Sequence, residues 1–204
     1  MLKLLLATGN PGKIQEFTAL LSDLPFQLVS LNDVGINDVV DETGTTFREN
    51  AIIKARCYGK LSGLLTLSDD SGLVVDVLDG RPGIKSARYG SPEFSDEERV
   101  SFLLQELKGI PWESRVARFV SVIAIICPSG DIRTVEGTVE GIIQYHPAGS
   151  NGFGYDPIFY IPTRHCTTAQ LSSDEKNLVS HRGKAARKAK IELEHYATNH
   201  VFCE

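Results

Sequence analysis

Short apolar runs alternate with amphipathic stretches along most of this chain, and that alternation predicts its elements. Leu2-Lys3-Leu4-Leu5-Leu6-Ala7 is apolar but for one lysine and reads as a buried strand. Asn10 suits a helix N-cap with Pro11 at the first helical position, and Ile14, Phe17, Leu20 and Leu21 then recur at helical spacing, giving a helix to about Ser22. Gln27 to Leu31 is a second strand. Thr46-Phe47-Arg48-Glu49 has the spacing of a capping box and opens a helix with Phe47, Ala51, Ala55 and Tyr58 on one face. Strands follow at 64–68 and 73–77, with Gly72 marking a bend between them. A second capping box, Ser95-Asp96-Glu97-Glu98, starts a helix carrying Val100, Leu103, Leu104 and Leu107 and ending near Gly109.

The centre changes character. Ala117 to Cys127 is rich in β-branched residues, Pro128-Ser129-Gly130-Asp131 is turn chemistry, and Ile132 to Val139 alternates weakly, which together predict a hairpin. Gly141 to Tyr145 reads as a further strand, and 183–198, rich in Ala, Lys and Glu, as a last helix. Strands alternating with helices at both ends of a β-rich centre predict an α/β fold with a mixed sheet. No internal repeat, low-complexity stretch or linker divides the chain, so residues 1–204 are expected to form one domain.

Charge and cysteine content narrow the class. A net charge of −5 leaves no excess of basic side chains to neutralise a nucleic-acid backbone, although a small phosphorylated ligand needs only a local cluster. Cys57, Cys127, Cys166 and Cys203 lie far apart, without CxxC or zinc-like spacing, and read as reduced thiols. The apolar start is too short for a signal peptide, and no segment approaches the length of a membrane span. The expected location is cytoplasmic, with no membrane partner.

Five polar, glycine-bearing motifs carry candidate chemistry. Ser68-Asp69-Asp70-Ser71-Gly72 puts two carboxylates in succession at the end of an apolar run; side chains alternate along a strand, so at most one can face a given pocket, as a general base or a metal ligand. Thr8-Gly9-Asn10-Pro11-Gly12-Lys13 joins a strand to a helix N-terminus, where free N–H groups, the helix dipole and the Lys13 charge favour an anion; the loop lacks the Walker A pattern. Asp41-Glu42-Thr43-Gly44 offers a second oxygen ligand for Mg²⁺, or else a solvated turn whose charge favours the helix that follows. Asn151-Gly152-Phe153-Gly154-Tyr155-Asp156-Pro157 sets two aromatics and a carboxylate between glycines, as would suit a planar base or a tight turn with Phe153 in the core. Lys176 and Ser180-His181-Arg182-Gly183-Lys184 add cations at the start of the last helix, while Arg187, Lys188 and Lys190 read as its solvated face. No Ser/His or Cys/His dyad is suggested, so direct attack by water is the simpler chemistry.

Taken in order, TGNPGK, DETGTTFRENA, SDDSGL, RPGIKSARYG, GFGYDPIF and SHRGKA resemble the inosine triphosphatase family, also called the Ham1-like or RdgB-like purine nucleoside triphosphate pyrophosphatases, over about residues 3 to 190. The resemblance implies a fold of the Maf/Ham1 type: a mixed twisted sheet with flanking helices, two lobes around a central cleft, and a homodimer. It implies Mg²⁺-dependent hydrolysis of dITP, ITP and XTP to the monophosphate and pyrophosphate, which clears deaminated purines from the nucleotide pool. Carried over by position, Thr8, Gly9, Asn10, Pro11, Gly12 and Lys13 would hold the triphosphate, with Lys54 as a further contact. Asp70 would be the general base and a metal ligand, Ser71 a substrate contact, and Asp41 or Glu42 a second metal ligand. Phe153, Gly154, Tyr155 and Asp156 would form the base pocket with Lys176, His181 and Arg182. The chain departs from the family pattern at Ser68, where alanine is usual, and at Lys85, where an aromatic or aliphatic residue is more usual. A pyrophosphatase for other modified nucleotides and a non-catalytic nucleotide sensor are the alternative readings. Acting on dITP but not on dUTP or TTP separates the first, and release of pyrophosphate separates the second.

Overall fold

The computed structural model describes residues 1–199; Cys203 lies outside them, and Cys57, Cys127 and Cys166 are free thiols. Seven strands form one sheet in the order β2-β1-β3-β4-β5-β6-β7. They are β1 (Leu2–Leu6), β2 (Phe26–Ser30), β3 (Leu65–Val75), β4 (Val116–Ile126), β5 (Ile132–Ile143), β6 (Phe159–Ile161) and β7 (Cys166–Thr167). β1 pairs in parallel with both β2 and β3, whereas β6 runs antiparallel to β5 and β7, so the sheet is mixed. The helices are α1 (Pro11–Leu20), α2 (Phe47–Ser62), α3 (Asp96–Glu106), α4 (Ser173–Val179) and α5 (His181–Asn199).

The chain divides into two compact units, one of residues 1–70, 121–137 and 182–199, the other of residues 71–120 and 138–181. In the first unit the alternation of β1 decides which helix covers which face. Leu4 and Leu6 pack in a core with Phe17 and Leu21 from the α1 region and Ala185, Ala189 and Leu193 of α5. Leu5 and Ala7 pack instead with Val29, Leu31 and Tyr58 of α2. β1 is therefore covered on both sides, which is why it reads as a continuous apolar run. The second unit has its own core, in which Leu73 and Val75 of β3 meet Val100 and Leu103 of α3, Phe119 of β4 and Phe159 of β6.

The helix starts follow local chemistry. Asn10 caps α1 by accepting from Lys13 N at 3.1 Å, and complete capping boxes, Thr46 with Glu49 and Ser95 with Glu98, open α2 and α3. Two strand expectations are corrected. β3 does not stop at the aspartates or bend at Gly72; it continues to Val75, Gly72 is buried and without positive φ, and Leu73 N donates to Ser86 Oγ at 2.8 Å. Nor does β5 end before Gly141. A Cβ there would lie 2.6 Å from both the Phe159 ring and Tyr160 O, so this glycine permits close contact with β6 rather than a turn. α5 begins two residues earlier than the apolar pattern indicates, which places His181 and Arg182 in its first turn.

Candidate active site

The alternation that sorts β1 continues along β3 and sends the two aspartates to different helices. Leu65 and Leu67 share the α1/α5 core, and Asp69, next in that register, meets Lys13 of α1 at 2.8 Å and Arg182 of α5 at 3.5 Å. Ser121 of β4 adds a hydroxyl donor at 2.5 Å. Ser68 faces the other way and donates to Ala51 O of α2 at 2.6 Å, which gives the hydroxyl a partner at this departure from the family pattern. Asp70, one residue further along the chain, receives Lys54 of α2 at 2.9 Å.

These two carboxylates differ in kind. Asp69 is 1 % exposed. Burial opposes its charge, but Lys13 and Arg182 outweigh that cost and hold its carboxyl far below the usual carboxylate range. Arg182 also pairs with Glu16 of α1, so two anions and two cations interlock there. Asp70 shows the reverse balance. Burial pushes its carboxyl up by more than Lys54 pulls it down, and Glu42 adds to the rise. Its Oδ2 is buried and meets no hydrogen-bond partner among the described residues. Asp69 is built as a permanent anion that fixes cations, and Asp70 as a carboxylate with an open oxygen.

Because the folded-state pKa of Asp69 is depressed, its contribution to stability is fully present above its unfolded value, about 3.9. That contribution disappears as pH falls below that value towards the folded pKa. Asp69→Asn is therefore expected to be less stable than the wild type at pH 7, with the gap narrowing below about pH 4, near the unfolded pKa. Denaturant titrations at several pH values check this; a gap independent of pH contradicts it.

Lys54 bridges Asp70 and Glu42, lying 2.6 Å from Glu42 Oε1. Burial lowers its pKa, but the two carboxylates more than compensate and keep it a cation. Of the acidic pair, the structure brings Glu42 to this group, whereas Asp41 is exposed and does not take part. Two carboxylates on either side of one cation, one of them with an orphaned oxygen, fit Mg²⁺. That ion takes one or two carboxylates and fills its remaining positions with phosphate oxygens and water. Among the described residues no group of three or more His, Cys, Asp or Glu side chains is placed to hold a metal alone, which such a shared site does not require.

Thr8 to Lys13 leads into α1 within the same unit. Thr8 Oγ1 accepts from Asn10 N at 3.2 Å and Asn10 from Lys13 N, so the loop is fixed by its own side chains. Burial lowers the Lys13 pKa against the pull of Asp69, with Lys54 and Arg182 also lowering it. Gly9 has no positive φ, and a Cβ built there meets nothing within 4 Å. The fold itself does not require this glycine. Gly9→Ala is expected to leave thermal stability unreduced and to raise the KM of a nucleotide whose phosphates approach the loop backbone closely; a fall in Tm with unchanged KM contradicts this.

In the second unit two of the predicted base-pocket residues, Phe153 and Lys176, meet at Asp156, which is 2 % exposed, whereas Arg182 lies in the first unit on Asp69 and Glu16. Asp156 Oδ2 accepts from Phe153 N at 2.9 Å and pairs with the buried Lys176 of α4, while Oδ1 accepts from Thr168 Oγ1 at 2.8 Å. Lys176 Nζ lies 5.1 Å from the Phe153 ring centroid. A Cβ at Gly152 would fall on the Asp156 carboxylate, which explains that glycine. Gly154 N donates to Asp96 Oδ2 of α3 at 2.7 Å. Tyr155 is buried and donates to Ser86 O at 3.0 Å, and burial raises its pKa, so it belongs to the core rather than to an open stacking face. His181 is buried and stacks on Phe119, centroids 4.7 Å apart and 13° between planes. Ser71 is the first residue of this unit, directly after Asp70. Sequence reasoning missed Glu16, Asn50, Asp96, Ser121 and Thr168. Asp96 shows only as part of a capping box and Asn50 only as a member of the DETGTTFRENA stretch, and Glu16, Ser121 and Thr168 carry no local signal.

A model of the Ham1 family matches residues 4–191. The dITP/XTP pyrophosphatase of Exiguobacterium sp. is 50% identical over 192 residues, 94% of this chain and 97% of that protein. That of Bacillus subtilis is 45% identical over 95% of this chain and 98% of its own. Among solved structures, a HAM1 protein from Coxiella burnetii superposes with a TM-score of 0.84 at 41% identity, covering 93% of this chain and 96% of that one. The Staphylococcus aureus Ham1 protein gives 0.83 at 38% identity, covering 98% and 100%. Family match, relatives and superpositions each span most of the sequence, so this chain belongs to the Ham1 family.

Proposed function

We propose that this chain is a nucleoside triphosphate pyrophosphatase. It hydrolyses deaminated purine nucleotides, dITP, ITP, XTP and dXTP, to the monophosphate and pyrophosphate, and so clears them from the nucleotide pool. The observation that carries this reading is Asp70, a buried carboxylate with one oxygen on Lys54 and the other without a partner among the described residues, in a chain whose relatives are dITP/XTP pyrophosphatases.

Cleavage between the α- and β-phosphates requires an attacking water, a proton acceptor and neutralisation of phosphate charge. Asp70, raised by burial, accepts the water's proton at Oδ2. The Thr8–Lys13 loop and the start of α1 bind the triphosphate, with Lys13 held in place by Asp69. Glu42 and Asp70 would hold Mg²⁺, and Lys54, which bridges the two carboxylates, would be free to donate to a phosphate oxygen. When bound, the ion neutralises phosphate charge and makes a coordinated water more acidic. Phe153 offers a face to the base. Lys176, fixed by Asp156, presents an N–H donor to the 6-oxo group of hypoxanthine or xanthine, where adenine would present a second donor. His181, stacked on Phe119, supports this side of the second unit, whereas Arg182 acts with Lys13 through Asp69 in the first.

The proposed working state is a cytoplasmic homodimer, with no nucleic-acid or membrane partner. Among the described residues no helix is long and apolar enough to cross a membrane. The test is a substrate panel at fixed Mg²⁺: dITP and XTP turn over, while dGTP, dATP, dUTP and TTP react far more slowly. Comparable turnover of the pyrimidine nucleotides would overturn the substrate assignment.

A further inference from the structure

The segment that carries Glu42 is fastened to α2 at four successive places, and the order of the contacts fixes its path. Glu49 Oε2 accepts from Thr45 N at 2.7 Å and Thr46 N at 3.1 Å. Asn50 Oδ1 accepts from Gly44 N at 2.8 Å, Lys54 donates to Glu42 Oε1 at 2.6 Å, and the Tyr58 hydroxyl donates to Asp38 O at 3.0 Å. Later helix residues meet earlier segment residues, so the segment runs antiparallel along the helix. Asn50, Lys54 and Tyr58 are spaced four apart and share one face of it.

These three contacts are not equivalent. Lys54 is a flexible cation shared with Asp70, and a phosphate oxygen would compete for it. Asn50 and Tyr58 grip backbone groups instead, and neither bond involves Lys54. Asn50 is fully buried, yet its Nδ2 has no partner among the described residues. An apolar residue would pack that site without an unsatisfied amide, so what the position supplies is the acceptor for Gly44 N. Gly44 is correspondingly close, since a Cβ there would lie 2.6 Å from Asn50 Oδ1 and from Glu49 Cβ.

We propose that Asn50 and Tyr58 are positioning residues that hold the Glu42 segment against α2, so that the Glu42 carboxylate stays in place for a divalent cation when Lys54 turns to substrate. This inference rests on the reading of Glu42 as a metal carboxylate.

The experiment measures Mn²⁺ affinity by electron paramagnetic resonance in the presence of α,β-imido-dITP, for wild type, Tyr58→Phe, Asn50→Ala and Glu42→Gln. Tyr58→Phe and Asn50→Ala are expected to weaken Mn²⁺ binding about tenfold, as loss of groups that orient a metal ligand does. The KM for dITP at saturating Mg²⁺ should change little, a split that a general loss of stability would not give. Weakening in Glu42→Gln with wild-type affinity in the other two overturns the positioning role and leaves the metal reading standing. Wild-type affinity in Glu42→Gln overturns the metal reading and this inference with it. If Asn50→Ala does not fold, Tyr58→Phe decides, because it removes only the hydroxyl from a packed ring.

Discussion

Asp70→Asn is expected to lower kcat for dITP by about 10²–10⁴-fold, the range for loss of a positioned acid or base, with the protein still folded. The substitution preserves shape and leaves an oxygen to accept from Lys54. It also removes a charge whose burial is unfavourable, as the raised pKa of the carboxyl records. Activity and stability should therefore part company here. The contrast with Asp69 sharpens the test, because Asp69→Asn removes the anion that holds Lys13 and Arg182 and should cost stability as well as activity. Steady-state kinetics with thermal denaturation of both variants distinguishes the two roles. Near-normal turnover in folded Asp70→Asn would remove Asp70 from the chemistry.

The second large effect is expected at Asp156. Asp156→Ala should cost about 3–5 kcal/mol of stability, the usual penalty for removing one partner of a buried ion pair. Lys176 would lose its counter-ion, and Phe153 N and Thr168 would lose an acceptor. The protein that remains folded should discriminate poorly between dITP and dATP, because the Lys176 ammonium and the Phe153 ring are both placed by this carboxylate. Urea denaturation gives the first quantity and the ratio of kcat/KM values the second. A loss below about 1 kcal/mol, the ordinary worth of a surface pair, would mean that Asp156 does not hold the network together.

The sequence makes most elements legible where a local rule governs them. Asn10, Thr46 and Ser95 announce helix starts because capping is decided within four residues, and the structure places all three as caps. Alternation along β3 already separates Asp69 from Asp70, and they reach different helices. What could not be read depended on distant partners. Gly72 and Gly141 look like strand breaks, but one lies extended in a buried strand and the other makes room for the Phe159 ring. Asp156 and Tyr155 look like pocket-facing groups, but their partners, Thr168, Lys176 and Ser86, come from 12 to 69 residues away. Asn50 shows no sign of its role, because a buried amide on a helix face has meaning only once Gly44 is beside it.

Phosphorus NMR of a dITP reaction with Mg²⁺ reads which phosphoanhydride is hydrolysed, and the α–β bond is the one expected to break. Equal amounts of dIMP and pyrophosphate, with no dIDP at any time, are the predicted products. Formation of dIDP and inorganic phosphate would put the cleavage at the β–γ bond and overturn the pyrophosphatase reading.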